Sequence, residues 1–562
     1  MAPTRANEFF RWALWLLWMA ANGIVFGLAY KRFDSSKEYY YLRVILKSAL
    51  PWARASAAVL NFNCMLILLP VCRNLLSVLR GFKCFGLTKS LFRLLDKNLT
   101  YHRHIAYTIC IFSAIHIGAH VFNFERFVAA WEEDDESLPH QLSLFEETQS
   151  TTLLNPIQQK GVDPNTELFK TVAGISGVVI TLALILMFTS STELLRRSYF
   201  EVFWYTHHLF IIFFAGLLVH GFGGLVRKQV NVDEHDPLEC QGFVNPQQGC
   251  PQPRFEATGA ATWKWVITPL ALYFIERCIR YFRSLQNVKV TTVIQHPSNV
   301  IEIRMTKSRF HSEAGQYIFL HCPKISSLEW HPFTLTSCPE EDFFSVHIRT
   351  AGDWTDDLAK LFVDENQEQR QQTPRLAVDG PFGTSSTDFL KYSVCVFVGA
   401  GIGVTPFASI LKSIWYQHNK SGSSLNIKKV YFYWICRDTN AFEWFAELLT
   451  SMEDQMVEKG NGDFLEYNMY LTRGWTNNEA RNIMLRDREE GEDVITGLKR
   501  KTFFGRPQWD GIFSKIAESN PSTDIGVFFC GPSGLSHTLR NMSNKYSNTK
   551  EGIRFYYNKE NF

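Results

Sequence analysis

Two apolar stretches of the chain carry histidines at nearly matched intervals. One holds His102 and His116, with His120 one turn further on; the other, "YTHHLFIIFFAGLLVH", holds His207, His208 and His220. An ionisable ring inside a run long enough to cross a bilayer is costly and usually has a task. Separations of fourteen and thirteen residues correspond to roughly 20 Å along a helix axis. Two neighbouring helices with rings at matched depths present two stacked bis-histidine sites. Haem is the natural occupant, since it is flat, apolar and takes imidazole as an axial ligand. With both stretches entering from the same side, His102 pairs with His207 and His116 with His220.

Helical phase constrains this pairing. Fourteen residues return to within about 40° of the starting direction, so His102 and His116 share a face. Thirteen residues leave His207 and His220 about 140° apart, and His208 is no better, at about 120°. The second stretch is therefore kinked or carries a π-bulge, or its first ligand is another residue.

Six segments have the length and apolar character expected of membrane spans: 9–30, 51–71, 104–124, 168–189, 200–222 and 263–282. The basic residues Arg80, Lys83, Lys89, Arg93, Lys97, Arg196, Arg197, Arg280 and Arg283 fall on one side of six spans. That side is predicted to be cytosolic, with both termini. The acidic loop 125–167 and the loop 223–262 fall on the other. Cys240 and Cys250 in the second outer loop face an oxidising compartment there and are expected to form a disulfide. The outer loops hold no N-x-S/T sequon. The twelve cysteines show no metal-binding spacing; a net charge of +2 says nothing about nucleic acid, and with no basic, aromatic-interleaved tract no nucleic-acid partner is expected.

The pattern changes near residue 285. Short alternating stretches ("KVTTVIQ", "NVIEIRM", "FSVHIRT") predict a small β-barrel, and from about 392 strands alternate with helices in a βαβ rhythm. "VGAGIGVTPF" follows a strand and opens a helix. Its glycines allow close approach of a phosphate, and Pro406 suits the first turn. Arg437, after "WIC", is a cation suited to the 2′-phosphate that separates NADP from NAD. "FFCGPSG" ends another strand at a sheet edge where nucleotides bind. In the barrel, Arg349 and the helix start near Thr355 are placed to receive a pyrophosphate.

The motifs "HPFTLTS", "DGPFGT", "GAGIGVTPFASILKS", "CGP" and the terminal "NKENF", together with "RRSYFEVFWYTHHLF", occur in order over nearly the whole chain. They resemble the NADPH oxidase catalytic subunits, most closely the phagocyte-type subfamily (cytochrome b heavy chain). The resemblance implies a six-span ferric reductase-like α-helical domain with two b-type haems over 1–284. A β-barrel FAD domain over 285–390 and a doubly wound α/β NADPH domain over 391–562 follow, as in ferredoxin–NADP reductases.

It further implies flavin contacts from His331, Pro332, Phe333 and Thr334, and pyrophosphate contacts from Arg349 and Thr355. NADPH phosphates fall to Gly401, Gly403, Thr405 and Pro406, and the 2′-phosphate to Arg437 and Arg506. Cys530 would lie near the nicotinamide and Phe562 over the flavin. The four paired histidines, with His207 rather than His208, would bind the haems, and Arg54 and His120 would line an oxygen site.

The implied activity is transfer of electrons from cytosolic NADPH through FAD and haem to dioxygen on the far side, releasing superoxide, in a plasma or endosomal/phagosomal membrane. A ferric or cupric metalloreductase shares the scaffold, but Arg54 and His120 favour oxygen. A non-enzymatic proton-conducting channel leaves the flavin and nucleotide motifs without a role. Implied partners are a small membrane subunit, cytosolic organiser and activator proteins and a small GTPase, with 80–97 and 487–501 as docking surfaces.

Overall fold

The computed structural model describes all residues except 1–4, 82–94, 96, 134–136, 144–156, 158, 241–249, 365–373, 421–424, 438, 459–462, 473–492, 494, 497, 549, 550, 561 and 562. Phe562 and most of both expected docking stretches thus lie outside the described residues. The chain forms two compact units. One comprises Leu14–Cys72 and Lys97–Ile275; the other comprises Met1–Ala13, Arg73–Asp96 and Glu276–Phe562.

The first unit is helical. Among the described residues, five helices are long and apolar enough to cross a membrane: Phe9–Ser35, Ala49–Val71, Asn98–Glu132, Val172–Ser190 and Phe200–His220. Leu17, Leu28, Ile111, Leu182 and Ile211 expose their side chains, as lipid-facing residues do. Inside, Ile67, Ile105, Ile109, Ala183, Met187, Phe213, Phe214 and Val266 pack into one cluster. The sixth expected segment, 263–282, does lie within a single helix, Thr262–Leu285. Its second half brings Glu276, Arg277 and Arg280, and this charge keeps it from qualifying on length and hydropathy alone. The sixth expected segment is thus helical as expected, while five helices among the described residues qualify by length and hydropathy alone. Cys240 and Cys250 are joined as a disulfide.

The second unit begins its sheet structure as a barrel of two antiparallel three-stranded sheets. Their strand orders are Val288–His296, Val300–Lys307, Phe344–Arg349 and His331–Thr334, Tyr317–His321, Ala377–Phe382. Alternate residues, Ile303, Met305, Ile318, Leu320, Val346 and Val378, fill the interior. A parallel six-stranded sheet follows, in the order Phe503–Phe504, Leu465–Leu471, Lys429–Cys436, Val394–Ala400, Asp524–Cys530, Arg554–Lys559. Its central strands are buried on both faces, which is why they read as continuous apolar runs. Val394–Ala400 is the first strand of this sheet in chain order and lies between two later ones, Lys429–Cys436 and Asp524–Cys530, so the winding reverses there and a ligand crevice is expected beyond its carboxyl end.

Two helical pieces of this unit are fixed to the barrel by polar contacts. Glu276 accepts from the backbone N–H groups of Asn74 and Leu75 at 3.0 and 2.8 Å, capping the helix Arg73–Gly81. Asp379, nearly fully buried, accepts from Arg280 Nε at 2.8 Å and Arg283 Nη1 at 3.0 Å. Arg80 Nη2 donates to Asp388 at 3.0 Å. Arg73 lies 4.0 Å over the ring of Phe319.

Candidate functional site

The helical unit brings the histidines together in pairs. The ring centroids of His102 and His207 are 6.2 Å apart, and those of His116 and His220 are 6.1 Å apart. The phase problem is solved by a break. The helix Phe200–His207 ends and Phe210–His220 begins after a tightened turn. There the N–H groups of His208, Leu209 and Ile211 bond three residues back instead of four. Such 3₁₀ turns rotate about 120° per residue, against 100° in an α-helix, and so swing His207 toward the face of His220. The expected distortion of this stretch is an overwound turn and not a π-bulge. His208 turns away, with Nδ1 against its own helix at Trp204 O, 2.7 Å.

Each paired ring has its Nδ1 against an oxygen. The partners are Ile67 O for His102 (2.9 Å), Ala53 O for His116 (3.0 Å), Ser191 Oγ for His207 (3.3 Å) and Ser176 Oγ for His220 (3.1 Å). A backbone carbonyl can only accept, so Nδ1 of His102 and His116 carries the proton and Nε2 presents its lone pair. Metal-bound imidazole is held in this way by its outer partners. A metal–nitrogen bond of about 2 Å on each side, with the depth of two rings, gives a centroid separation of roughly 6 Å. Both pairs fit an iron between them.

His120 lies 4.6 Å from His116, ring to ring. Arg54 is within electrostatic reach of His116, His120 and His220. Its guanidinium carbon stands 5.1 Å over the Phe33 ring, and its buried Nε has no hydrogen-bond acceptor among the described residues. A buried cation without an acceptor favours an anion arriving beside it.

In the barrel, His331, Pro332, Phe333 and Thr334 form one short strand paired with Tyr317–His321. Pro332 is exposed and Thr334 buried. The His331 ring stacks on Trp354 at 4.2 Å, and its Nε2 is 3.2 Å from Glu329. Burial holds His331 below its ordinary pKa, against the pull of that carboxylate. Arg349 ends its strand with the side chain exposed. The Thr355 hydroxyl accepts from Ala351 N and Gly352 N at 3.0 and 3.1 Å, so it shapes the loop that Arg349 enters.

The parallel sheet gathers the remaining candidates at the carboxyl ends of its strands. Gly401 adopts φ +58° and has open space where a side chain would project. A turn at Gly401–Val404 then leads into the helix Thr405–Asn419, with Pro406 in its first turn. A Cβ on Gly403 would stand 2.4 Å from Cys530 O, so the turn and the end of the neighbouring strand touch. Burial pushes the Cys530 thiol up, and it stays protonated. Arg437 and Arg506 are both exposed. Cys436, Leu471 and Phe504 are register partners across three strands, so the two arginines emerge roughly 10 Å apart, close enough for both to reach one phosphate.

One contact set was not among the site residues read from the sequence. Glu560 accepts from Ser386 N at 2.7 Å and Ser385 Oγ at 3.0 Å, while its own N–H donates to Phe529 O at 2.9 Å. The end of the chain is thereby tied beside the loop after "DGPF". The sequence marks this segment through the terminal "NKENF" motif, which gives Glu560 no role of its own.

Comparison with known proteins agrees in every part of the chain. Residues 54–218 match the model of a ferric reductase like transmembrane component. Residues 285–386 match an FAD-binding domain, and 392–544 match a ferric reductase NAD binding domain. The chain is 50% identical over 566 residues to NADPH oxidase 3 of Homo sapiens, covering 99% of each. It is 50% identical over 553 residues to NADPH oxidase 1 of Mus musculus, covering 97% of this chain and 92% of that one. Identity to NADPH oxidase 4 of Homo sapiens is 37% over 610 residues, covering 99% and 98%. This integral membrane oxidoreductase, a user of NADPH, FAD and haem b that delivers electrons to dioxygen, belongs to the NADPH oxidase family.

Proposed function

We propose that the chain conducts electrons across a plasma or endosomal/phagosomal membrane, from NADPH on the cytosolic side to dioxygen on the other, and releases superoxide. The observation that carries this is the pair of facing histidine couples, each ring oriented by an oxygen on its Nδ1. When bound, flavin supplies the change from two-electron to one-electron chemistry, and haem iron supplies single-electron steps.

His102 with His207, and His116 with His220, hold the two haems. Arg54 and His120 line the outer site, where the guanidinium stabilises a nascent oxygen anion in a low-dielectric setting. His331, Pro332, Phe333 and Thr334 seat the flavin ring, and Arg349 with the Thr355-braced loop receives its pyrophosphate. Gly401 leaves room for a nucleotide phosphate, with Gly403, Thr405 and Pro406 shaping the turn around it. Arg437 and Arg506 select the 2′-phosphate. Cys530 stays a neutral thiol and would lie beside the nicotinamide, and by the family resemblance Phe562, outside the described residues, would be the residue over the flavin.

Arg80, Arg280 and Arg283 pair with acids of the nucleotide-binding unit. This supports a cytosolic face for the positive loops and for both termini. A small membrane subunit, cytosolic organiser and activator proteins and a small GTPase complete the active assembly.

The test is NADPH-driven, superoxide dismutase-sensitive reduction of cytochrome c by the full chain in vesicles, with and without such partners. Activity dependent on added NADPH supports the reading. Its absence under every partner combination, in a chain carrying haem and flavin, contradicts it.

A further inference from the structure

Glu302 and His347 are direct partners across two strands of the first barrel sheet, and His296 sits diagonally opposite on the third strand. Their neighbours Ile301, Ile303, Val346 and Ile348 point into the barrel core, so these three side chains share the other face. That face is also covered. Glu302 and His347 are 4% and 8% exposed, while His296 is half-buried at the rim. Ser409 Oγ donates to Ser337 O at 2.6 Å from the helix Thr405–Asn419, and Lys412 pairs with Glu341. A buried imidazole–carboxylate–imidazole group has no part in the flavin or nucleotide contacts assigned above.

We propose that His296, Glu302 and His347 form a site for one divalent transition cation of the zinc class. His296 Nε2 is 3.4 Å from Glu302 Oε2, and His347 Nε2 is 3.9 Å from the same oxygen. One ligand atom from each residue lies within 4.8 Å of the other two. A tetrahedral ion bonded at about 2.1 Å places its ligand atoms roughly 3.4 Å apart. One edge of the triangle has that length, and the others need a small contraction that His296, at the rim, can supply.

The surrounding contacts orient the donors. His347 Nδ1 meets Thr336 Oγ1 at 2.8 Å, and Thr336 Oγ1 meets Ser345 Oγ at 2.9 Å, which leaves Nε2 as the atom that faces Glu302. At 3.9 Å that pair is too long for a hydrogen bond and suits a shared cation. Arg304 grips the carboxylate with two donors, Nε to Oε1 at 2.7 Å and Nη2 to Oε2 at 3.3 Å, and the longer contact leaves Oε2 the more weakly held oxygen, on the side of both rings. Metal ligands are held by outer partners of this kind.

The protonation of the two buried donors also matches. Burial lowers His347 to about 3, so the ring is neutral. Burial would raise Glu302, but its bonds to His296 and Arg304 hold it down at about 2, so it is anionic. Two imidazoles and a carboxylate form the ligand set of open zinc sites. They select zinc, copper, nickel or cobalt over magnesium or calcium. The half-buried His296 gives the ion a path from solvent and leaves a fourth position for water.

The experiment uses the full chain in detergent, stripped with EDTA, incubated with zinc chloride and passed through a desalting column. Zinc and iron are counted together by mass spectrometry, so haem loading is known in the same sample. Wild type should retain about one zinc per chain and gain a few degrees in unfolding midpoint. His296→Gln and Glu302→Gln should retain none and gain nothing, with iron unchanged. His311→Gln, at an exposed histidine elsewhere on the barrel, should behave as wild type. Wild type at buffer level, or His296→Gln retaining as much zinc as wild type at equal iron, would overturn the site. The triad would then be a hydrogen-bonded brace for Arg304.

Discussion

A Cβ added to Gly403 would stand 2.4 Å from the carbonyl oxygen of Cys530. This contact joins the turn after one central strand to the end of the next, at the point where the sheet order reverses. Backbone cannot swing aside as a flexible side chain can. Gly403→Ala therefore forces the turn and strand apart, at a cost of about 1–3 kcal/mol. The Michaelis constant for NADPH should rise while haem content stays at the wild-type level. Unchanged NADPH kinetics in a stably folded variant would show that the contact yields without affecting the nucleotide.

Arg437 and Arg506 leave the sheet two strands apart and both are exposed. A hydrogen bond to a charged group contributes about 1.5–3 kcal/mol. Arg437→Ala should raise the Michaelis constant for NADPH roughly tenfold or more and leave that for NADH nearly unchanged. Steady-state kinetics with both nucleotides decide it, and equal losses on the two would remove the 2′-phosphate from its role.

Glu560 fastens the end of the chain to Ser385 and Ser386. If this tie aims Phe562 at the flavin, Glu560→Ala should reproduce the effect of deleting Phe562. Both changes should weaken discrimination between NADPH and NADH and prolong occupancy by nicotinamide, with haem content unaffected. A Phe562 deletion that keeps wild-type constants for both nucleotides would make the terminal ring inert.

Much of this was legible in the sequence because membrane spans and βαβ units leave periodic signals. The histidine spacing located both ring pairs, and the phase calculation required a distortion in the second stretch. It did not give the form of the distortion. A tightened turn at His208 and Leu209 arises from tertiary packing, and nothing in "YTHHLF" distinguishes it from a π-bulge. The oxygens that orient the rings were also hidden. Ile67 O and Ala53 O are backbone atoms present at every residue, and Ser176 and Ser191 are ordinary small residues of a packed helix. Segment 263–282 is a weaker signal on hydropathy than the others, because Glu276, Arg277 and Arg280 follow its apolar first half. The triad of His296, Glu302 and His347 follows no ligand spacing, since three strands of a folded sheet bring it together.

The haem count of the purified full chain, taken from the reduced pyridine haemochrome spectrum against protein concentration, tests the central claim most directly. Wild type should hold two haems per chain. His116→Ala and His220→Ala, which each break the 6.1 Å pair, should hold one, with the His102–His207 pair still loaded. Two haems in either variant, or fewer than two in a fully folded wild-type chain, would contradict the assignment of the histidine pairs.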